Sequence, residues 1–412
     1  MITLENIVVQ KFGGSSVANG DRIRNVARRI IATRAAGNHV VVVLSAQGNT
    51  TDHLLEKARE LNPQPSKREL DMLLATGEQQ SVALMAMAIH SLGYQAVSLN
   101  AVQVGIHSTQ AHGNGHITHI ATNRIIQELN LGNIVLVAGF QGVNQTQDIT
   151  TLGRGASDTT AVALAAVLNA KVCEIYSDVD GIYTVDPRIV QTAKKLPALG
   201  YDAMLELAFA GVQMLHGRAV EMAKKYQVEI IVRSSMQDTE GTWIKEDSQV
   251  EQLTVSGIAI DRNVAKITVV GMEDTPGTAF KVFSILAKEQ IYVDIISQGI
   301  SQAPGLCSIS FTVSRQDMAA ARNVLAANQA LIGFQNIETE ESLAKISVVG
   351  AGMATNSGVA ATMFEALFES GVNINMISTS EIKIAVLVDE TLVSTAATAI
   401  HDKFDGVLGG AE

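Results

Sequence analysis

Ile7-Val8-Val9-Gln10-Lys11-Phe12-Gly13-Gly14-Ser15-Ser16 reads as a short apolar strand running into a glycine loop. A lysine at a strand end, followed by two glycines and two hydroxyls, suits an anion. Glycine lets the backbone approach closely and lysine supplies a point charge. The order is not that of a Walker A loop, and an ordinary strand–helix turn would read the same way. Outward from this stretch the pattern repeats. Residues 21–36 have the spacing of an amphipathic helix, and Val40-Val41-Val42-Val43-Leu44 is a continuous apolar strand. Helices are expected over 51–61 and 69–92, strands over 134–138 and 172–176, and an Ala-rich helix over 157–168. Further helices fall at 201–210 and 217–226, with a strand at 229–232. Unbroken Val/Ile runs belong to strands buried on both faces, so the expected fold is three-layer α/β with a mainly parallel sheet.

Composition agrees. The 412 residues exceed one ordinary core, and 47% are hydrophobic against 17% charged, which excludes a disordered chain. A formal charge of −11 argues against a nucleic-acid partner but not against a local anion pocket. Cys173 and Cys307 lie in strand-like runs, as small core residues, with no metal or disulfide spacing. Neither a secretory leader nor an apolar run of membrane-spanning length is visible, so a cytoplasmic protein without membrane contact is expected.

The polar stretch 234–252 is the expected domain boundary. Beyond it the chain repeats itself. Ala265-Lys266-Ile267-Thr268-Val269-Val270-Gly271 matches Ala344-Lys345-Ile346-Ser347-Val348-Val349-Gly350, and residues 291–297 match 372–378. Each copy reads as a βαββαβ module of the ligand-binding kind. The expected division is 1–247, 264–338 and 339–412, with 250–263 a candidate to complete the last.

Three further stretches carry chemistry. In Gly153-Arg154-Gly155-Ala156-Ser157-Asp158, Ser157 and Asp158 stand where N-cap residues belong, and Arg154 in the glycine turn can fork onto a carboxylate. Ser177-Asp178-Val179-Asp180-Gly181-Ile182-Tyr183 closes a buried strand and runs on to Arg188. His107, His112, His116 and His119 cluster in a loop-rich stretch, His116 and His119 with the spacing of one helical face; a solvated loop is favoured over a metal site, and no metal ligands are assigned. Val348-Val349-Gly350-Ala351-Gly352 imitates a dinucleotide fingerprint, but too little chain remains after it for a dinucleotide fold.

K-F-G-G-S-S (11–16), L-S-A-Q-G-N-T-T-D (44–52), A-T-G-E (75–78), the G-R-G-A-S-D turn and S-D-V-D-G-I-Y-T-V-D-P-R (177–188), in this order, resemble aspartate kinase. That family joins an amino-acid-kinase domain to two ACT modules, and the resemblance covers essentially the whole chain. It implies MgATP-dependent phosphorylation of the L-aspartate side chain to 4-phospho-L-aspartate, the first step toward lysine, threonine and methionine. ATP and Mg2+ are the implied cofactors. Lys11 would neutralise the transferring phosphoryl group and Asp158 would orient Lys11. Ser45, Thr51, Asp52, Glu78, Arg154 and Ser157 would hold aspartate. Gly13, Gly14, Ser177, Asp178, Tyr183, Arg188 and Gln213, with Lys11, would hold the nucleotide. Because Lys11 would face a ligand and not a core, Lys11→Ala is expected to change melting little.

The ACT pair implies feedback by lysine and/or threonine. Asp274, Gly277, Ala279, Asp294 and Gln298 would line one effector site, and Asn373, Ile374, Thr379, Ser380 and Glu381 another. A homodimer or larger homo-oligomer is expected. The kinase part of the chain departs from the family at two places. Ala156 replaces a glycine, which matters if that position needs a positive φ. Gln213 replaces a lysine, with Arg218, Lys224 or Lys225 as substitute charges. Gln213 keeps open a weakly active or non-catalytic regulatory paralogue as the alternative.

Overall fold

The structure, a computed structural model, describes residues 6–153, 155–212, 214–246, 255–300, 304–350, 353, 356, 358–406 and 408. They form two units. The first takes Met1–Tyr183, Lys195–Ala208 and Gln213–Glu251; the second takes Thr184–Lys194, Phe209–Val212 and Gln252–Glu412.

The first unit begins β1 (Ile7–Phe12), α1 (Gly20–Ala35), β2 (His39–Leu44), α2 (Thr50–Leu61), α3 (Lys67–Ser91) and β3 (Ala96–Leu99). It continues α4 (Ala101–Val104), β4 (Ile106–Ser108), β5 (Ile117–Ile120), α5 (Asn123–Asn130), β6 (Ile134–Ala138), β7 (Gln141–Val143) and β8 (Ile149–Thr151). Then come α6 (Ala156–Val167), β9 (Val172–Ser177), β10 (Ala198–Gly200), α7 (Tyr201–Phe209), α8 (Gly217–Tyr226), β11 (Ile230–Ser234) and β12 (Thr242–Lys245). Among the described residues eight strands form one sheet in the order β10-β12-β11-β9-β1-β2-β6-β3. It is parallel throughout except where β12 turns back on β11.

The sequence pattern explains the layers. Val40, Val42 and Leu44 of β2 pack with Val26 and Ile30 of α1 and Met85 and Ile89 of α3. Val43 points to the opposite face, which α6 covers together with β1 and β9. Every side chain of β6 is fully buried. The strand order reverses at β1, whose neighbours β2 and β9 lie on either side. In such a sheet the crevice for ligands opens at the carboxyl ends of the strands beside the reversal.

Two expectations change here. The polar stretch 234–252 is not a linker from its start, because β11 and β12 pair across it within the first sheet. The His-rich stretch is not helical. β4 and β5 form a strand pair in a second, four-stranded sheet, β5-β4-β7-β8, and His107 stacks on His119 across it at 5.9 Å.

The second unit contains β13 (Gly257–Glu273), α9 (Thr278–Lys288), β14 (Ile296–Ile300), β15 (Leu306–Val313), α10 (Arg315–Ala327) and α11 (Gln329–Ile332). The repeat comes next as β16 (Asn336–Val349), α12 (Gly358–Glu369), β17 (Met376–Thr379), β18 (Lys383–Asp389) and α13 (Val393–Phe404). Its described strands make one antiparallel sheet, β14-β15-β13-β16-β18-β17. The long β13 and β16 run past each other. The start of β13, Gly257 to Asp261, pairs with Val349 to Lys345; its end, Lys266 to Val270, pairs with Glu340 to Asn336. Each repeat thus lends a strand segment to the other. Val348 and Val349 lie in this antiparallel ladder, so the strand ahead of Gly350 is not that of a parallel βαβ unit. Val185 and Val190 are buried in the core beneath α12 and α13, which draws residues 184–194 into this unit.

Candidate active site

Lys11 is the last residue but one of β1, with its Nζ 2.6 Å from Asp158 Oδ1, side chains 13% and 8% exposed. The backbone N–H of His216 donates to Asp158 Oδ2 at 3.3 Å. Asp158 therefore sits between a cation and an amide and fixes where the ammonium stands. Lys11 is thus held in a largely buried ion pair, so Lys11→Ala would strand the Asp158 carboxylate, a cost that the reading of Lys11 as facing only a ligand leaves out. Cys173, near this pair, is buried in β9 and burial pushes its thiol well above the usual range, as for a core residue.

Ser157 and Asp158 do not cap α6. The N-cap is Gly155, in the left-handed region at φ 72°, and no side chain caps the helix. Gly153 also lies at φ 89°, whereas Ala156 does not, so a methyl at 156 carries no backbone strain. The doubt raised by Ala156 is removed at the level of the backbone. Arg154, between the two glycines in sequence, lies outside the described residues, as does Gln213.

Ser45 and Ala46 continue from β2. The N–H of Ser45 donates to Phe12 O, and that of Ala46 donates to Glu78 Oε1 at 3.0 Å. Gly14 must be glycine: a Cβ there would lie 2.6 Å from Ala46 O. The N–H of Gly13 donates to Tyr176 O at 3.2 Å, so this amide is already used and Gly13 offers only its close approach.

Glu78 lies on the buried face of α3, 3% exposed, and its Oε2 has no hydrogen-bond partner among the described residues. Burial pushes its carboxyl up to about 7. A half-satisfied buried carboxyl of this kind has the chemistry to receive a cation. Thr51 and Asp52 stand in the first turn of α2.

Ser177 ends β9 and its hydroxyl donates to Asp178 Oδ1 at 3.0 Å. The Tyr183 hydroxyl donates to Asp180 Oδ1 at 2.9 Å, and Lys195 pairs with Asp180 Oδ2 at 3.2 Å. Arg188 belongs to the second unit, where its guanidinium forks onto Asp186. Two of the three substitute charges for Gln213 are engaged in polar contacts, and the third, Lys225, lies over the Tyr226 ring at 5.3 Å. Lys224 pairs with Asp202 at 2.6 Å, and Arg218 donates to the carbonyls of Leu152 (2.7 Å) and Gly115 (3.1 Å). Burial lowers the Arg218 pKa, against the opposing pull of Glu221.

Two residues of this region carry no sequence signal strong enough to find them. Phe140, just past β6, has φ 68°, a strained conformation for an aromatic residue and one found at functional sites. His216 stands at the N-cap position of α8 without a side-chain cap bond, its ring 2.7 Å from where a Cβ on Gly155 would lie, and burial lowers its imidazole below the usual value.

In the second unit Gln298 on β14 reaches Asp274 Oδ1 at 3.5 Å, and Gly277 at φ 98° precedes α9, with Ala279 exposed in its first turn. Asp294 receives Lys345 Nζ at 2.5 Å. Asn373 is exposed and Ile374 half-buried ahead of β17, and Thr379, Ser380 and Glu381 are exposed at the β17–β18 turn.

The amino acid kinase family matches residues 6–234, and the ACT domain matches residues 267–329 and 346–404. The chain is 50% identical over 409 residues to the aspartokinase of Mycolicibacterium smegmatis, covering 98% of this chain and 97% of the relative. It is similar to the crystal structure of E. coli aspartokinase III in complex with aspartate and ADP (R-state), with TM-score 0.82 and 26% identity over 97% of this chain and 100% of that one. The same enzyme in complex with lysine and aspartate (T-state) gives TM-score 0.76 and 26% identity over 97% and 99%.

Proposed function

The chain belongs to the aspartokinase family, and from that premise we propose that it transfers the γ-phosphoryl group of MgATP to the side-chain carboxylate of L-aspartate. The observation that carries the reading is the Lys11–Asp158 pair at the carboxyl end of β1, beside the strand-order reversal. A carboxylate is already ionised at neutral pH, so the nucleophile needs no general base. The protein's work is positioning and charge neutralisation. Lys11 stabilises charge on the transferring group and Asp158 holds it in place. Glu78 Oε2 takes the substrate α-ammonium, Arg154 forks onto the α-carboxylate, and Ser45, Thr51, Asp52 and Ser157 complete the pocket. Gly14, Ser177, Asp178 and Tyr183 bound the nucleotide side. Magnesium keeps most of its waters and binds chiefly through substrate phosphates, so it is assigned to the nucleotide.

The proposal extends to a catalytic domain over 1–247 and to ACT modules over 264–338 and 339–412 that bind lysine and/or threonine. It includes a homodimer, because Ile296 and Phe368 leave apolar surface uncovered in the second unit. Cytoplasmic action at the head of lysine, threonine and methionine synthesis belongs to the same reading. A slow or regulatory paralogue is the second reading, favoured by Gln213. One assay separates them: ATP- and aspartate-dependent acyl phosphate trapped with hydroxylamine. Hydroxamate at enzyme-like rates supports the kinase; none at all, with aspartate still binding, supports the paralogue.

A further inference from the structure

Asp71 is a buried acid that phosphoryl transfer does not use. It is 1% exposed on α3, two turns ahead of Glu78 on the same face. Both of its oxygens are engaged. Oδ1 accepts the Thr151 hydroxyl at 2.5 Å, Oδ2 lies 2.9 Å from His112 Nδ1, and the Gly113 N–H donates to both at 3.1 and 2.9 Å. Asp71 thus ties the segment between β4 and β5 to the end of β8.

The same segment is held from the other side. Arg218 Nη2 donates to Gly115 O at 3.1 Å and lies 3.3 Å from His116 Nδ1, while its Nη1 donates to Leu152 O at 2.7 Å. Gly115 N–H donates to Thr151 O at 2.8 Å. A Cβ at Gly153 would lie 2.9 Å from the Asn114 side chain. Residues 112–116, Thr151, Leu152 and Gly153 are therefore clamped between a buried carboxylate and a half-buried guanidinium. Gly153 leads directly into the turn that carries Arg154, Ser157 and Asp158.

We propose that Asp71 and Arg218 are positioning residues that brace residues 112–116 against Thr151–Gly153, and so set the turn that receives the substrate's carboxylate end. Their described contacts are all with the protein's own groups. The inference rests on the aspartate-kinase reading for the identity of the substrate, but the brace itself does not. Positioning on this scale matters because displacement of about 1 Å in a site costs up to about 100-fold.

The test uses the full chain as Asp71→Asn, Thr151→Val, Arg218→Lys and the Asp71→Asn/Arg218→Lys double variant. An amide at position 71 must turn an N–H2 toward the Gly113 N–H or lose the Thr151 hydroxyl. Thr151→Val removes a single donor and keeps the shape, so it reads the brace even if Asp71→Asn folds poorly. The expected result is a KM for aspartate raised about tenfold in each single variant, with KM for ATP within about twofold. The double variant should raise it by less than the product of the two, because both act on one segment. Hydrogen exchange at Gly113 and Gly115 should quicken about tenfold in Asp71→Asn, and this readout involves no substrate. Lower melting temperatures with unchanged KM for aspartate, or equal rises in both KM values, overturn the proposal. So does unchanged exchange at Gly113 and Gly115, whatever the activity. A parent protein that turns over no aspartate, with exchange altered as expected, overturns the substrate reading and leaves the brace standing.

Discussion

Glu78 offers the most demanding test, because one carboxyl governs both pH dependence and stability. Its side chain is 3% exposed, one oxygen accepts the Ala46 N–H, and burial pushes the carboxyl from 4.5 up to about 7. Binding a substrate α-ammonium requires the ionised form. With a pKa of about 7, the ionised fraction is about one in eleven at pH 6 and about ten in eleven at pH 8. At saturating MgATP, kcat/KM for aspartate should fall about tenfold from pH 8 to pH 6, with kcat nearly level, since bound ammonium draws the pKa back down. Stability runs the other way. The folded state keeps a proton that the unfolded chain releases above pH 4.5. Glu78's favourable contribution is complete below that pH and is lost as pH rises through about 7, a difference of roughly 3 kcal/mol. Glu78→Gln carries no charge at any pH, though its amide leaves a buried donor unpaired at a cost of about 1–3 kcal/mol. The melting temperature of the variant relative to the parent should therefore rise between pH 5 and pH 8, while its kcat/KM for aspartate becomes low and pH-independent. Steady-state kinetics and melting curves over that range measure both. A flat parent profile, or a variant with parental KM for aspartate, refutes the assignment.

Lys11→Met should abolish measurable phosphoryl transfer and, by stranding Asp158, destabilise by about 3–5 kcal/mol; Asp158→Asn in the same chain should restore melting but not turnover, as read by hydroxamate and thermal denaturation. Gly77→Ala places a methyl 2.8 Å from Ala46 Cβ; it should cost about 1–3 kcal/mol and raise KM for aspartate by shifting the amide that holds Glu78. Gln213→Lys should raise kcat about 30-fold or more if position 213 faces the phosphates, with KM for aspartate unchanged; a parent already turning over at about 10 per second would argue that it does not.

The first unit was readable because its physics is local. Val40–Leu44 is a run that only a strand covered on both faces accommodates, and all five residues are fully buried. The amphipathic helices of 217–226 and 51–61 likewise come from spacing, within a residue at each end. What could not be read depended on long-range partners. Residues 184–194 look like the continuation of a polar loop, yet Val185 and Val190 belong to the second unit's core. The repeat announced two modules but not that β13 and β16 would each serve both. Hydrophobic alternation specifies a face and a period, whereas the choice of neighbouring strand is made by whichever edge is left unpaired. The His-rich stretch misled for a related reason: two strands of three and four residues are too short to impose a period.

For the site, glycine loops announced themselves by their own chemistry, whereas single polar residues such as Glu78 were named only through the family resemblance. Asp71 and Glu78 make the point within one helix. Seven residues apart on the same buried face of α3, they are interchangeable to any reading of pattern or charge. Their partners separate them. Asp71 accepts from a hydroxyl, a backbone amide and an imidazole, so both oxygens are compensated and the group holds structure together. Glu78 has one oxygen satisfied by Ala46 and one without any described donor. A carboxylate oxygen buried without a donor is costly enough that a fold keeps it only where some other group donates part of the time. A substrate ammonium is such a donor, and it arrives only when the protein is at work. Burial compensated at both oxygens fits the first acid for a brace; the same burial, incompletely compensated, fits the second for the binding role proposed for it.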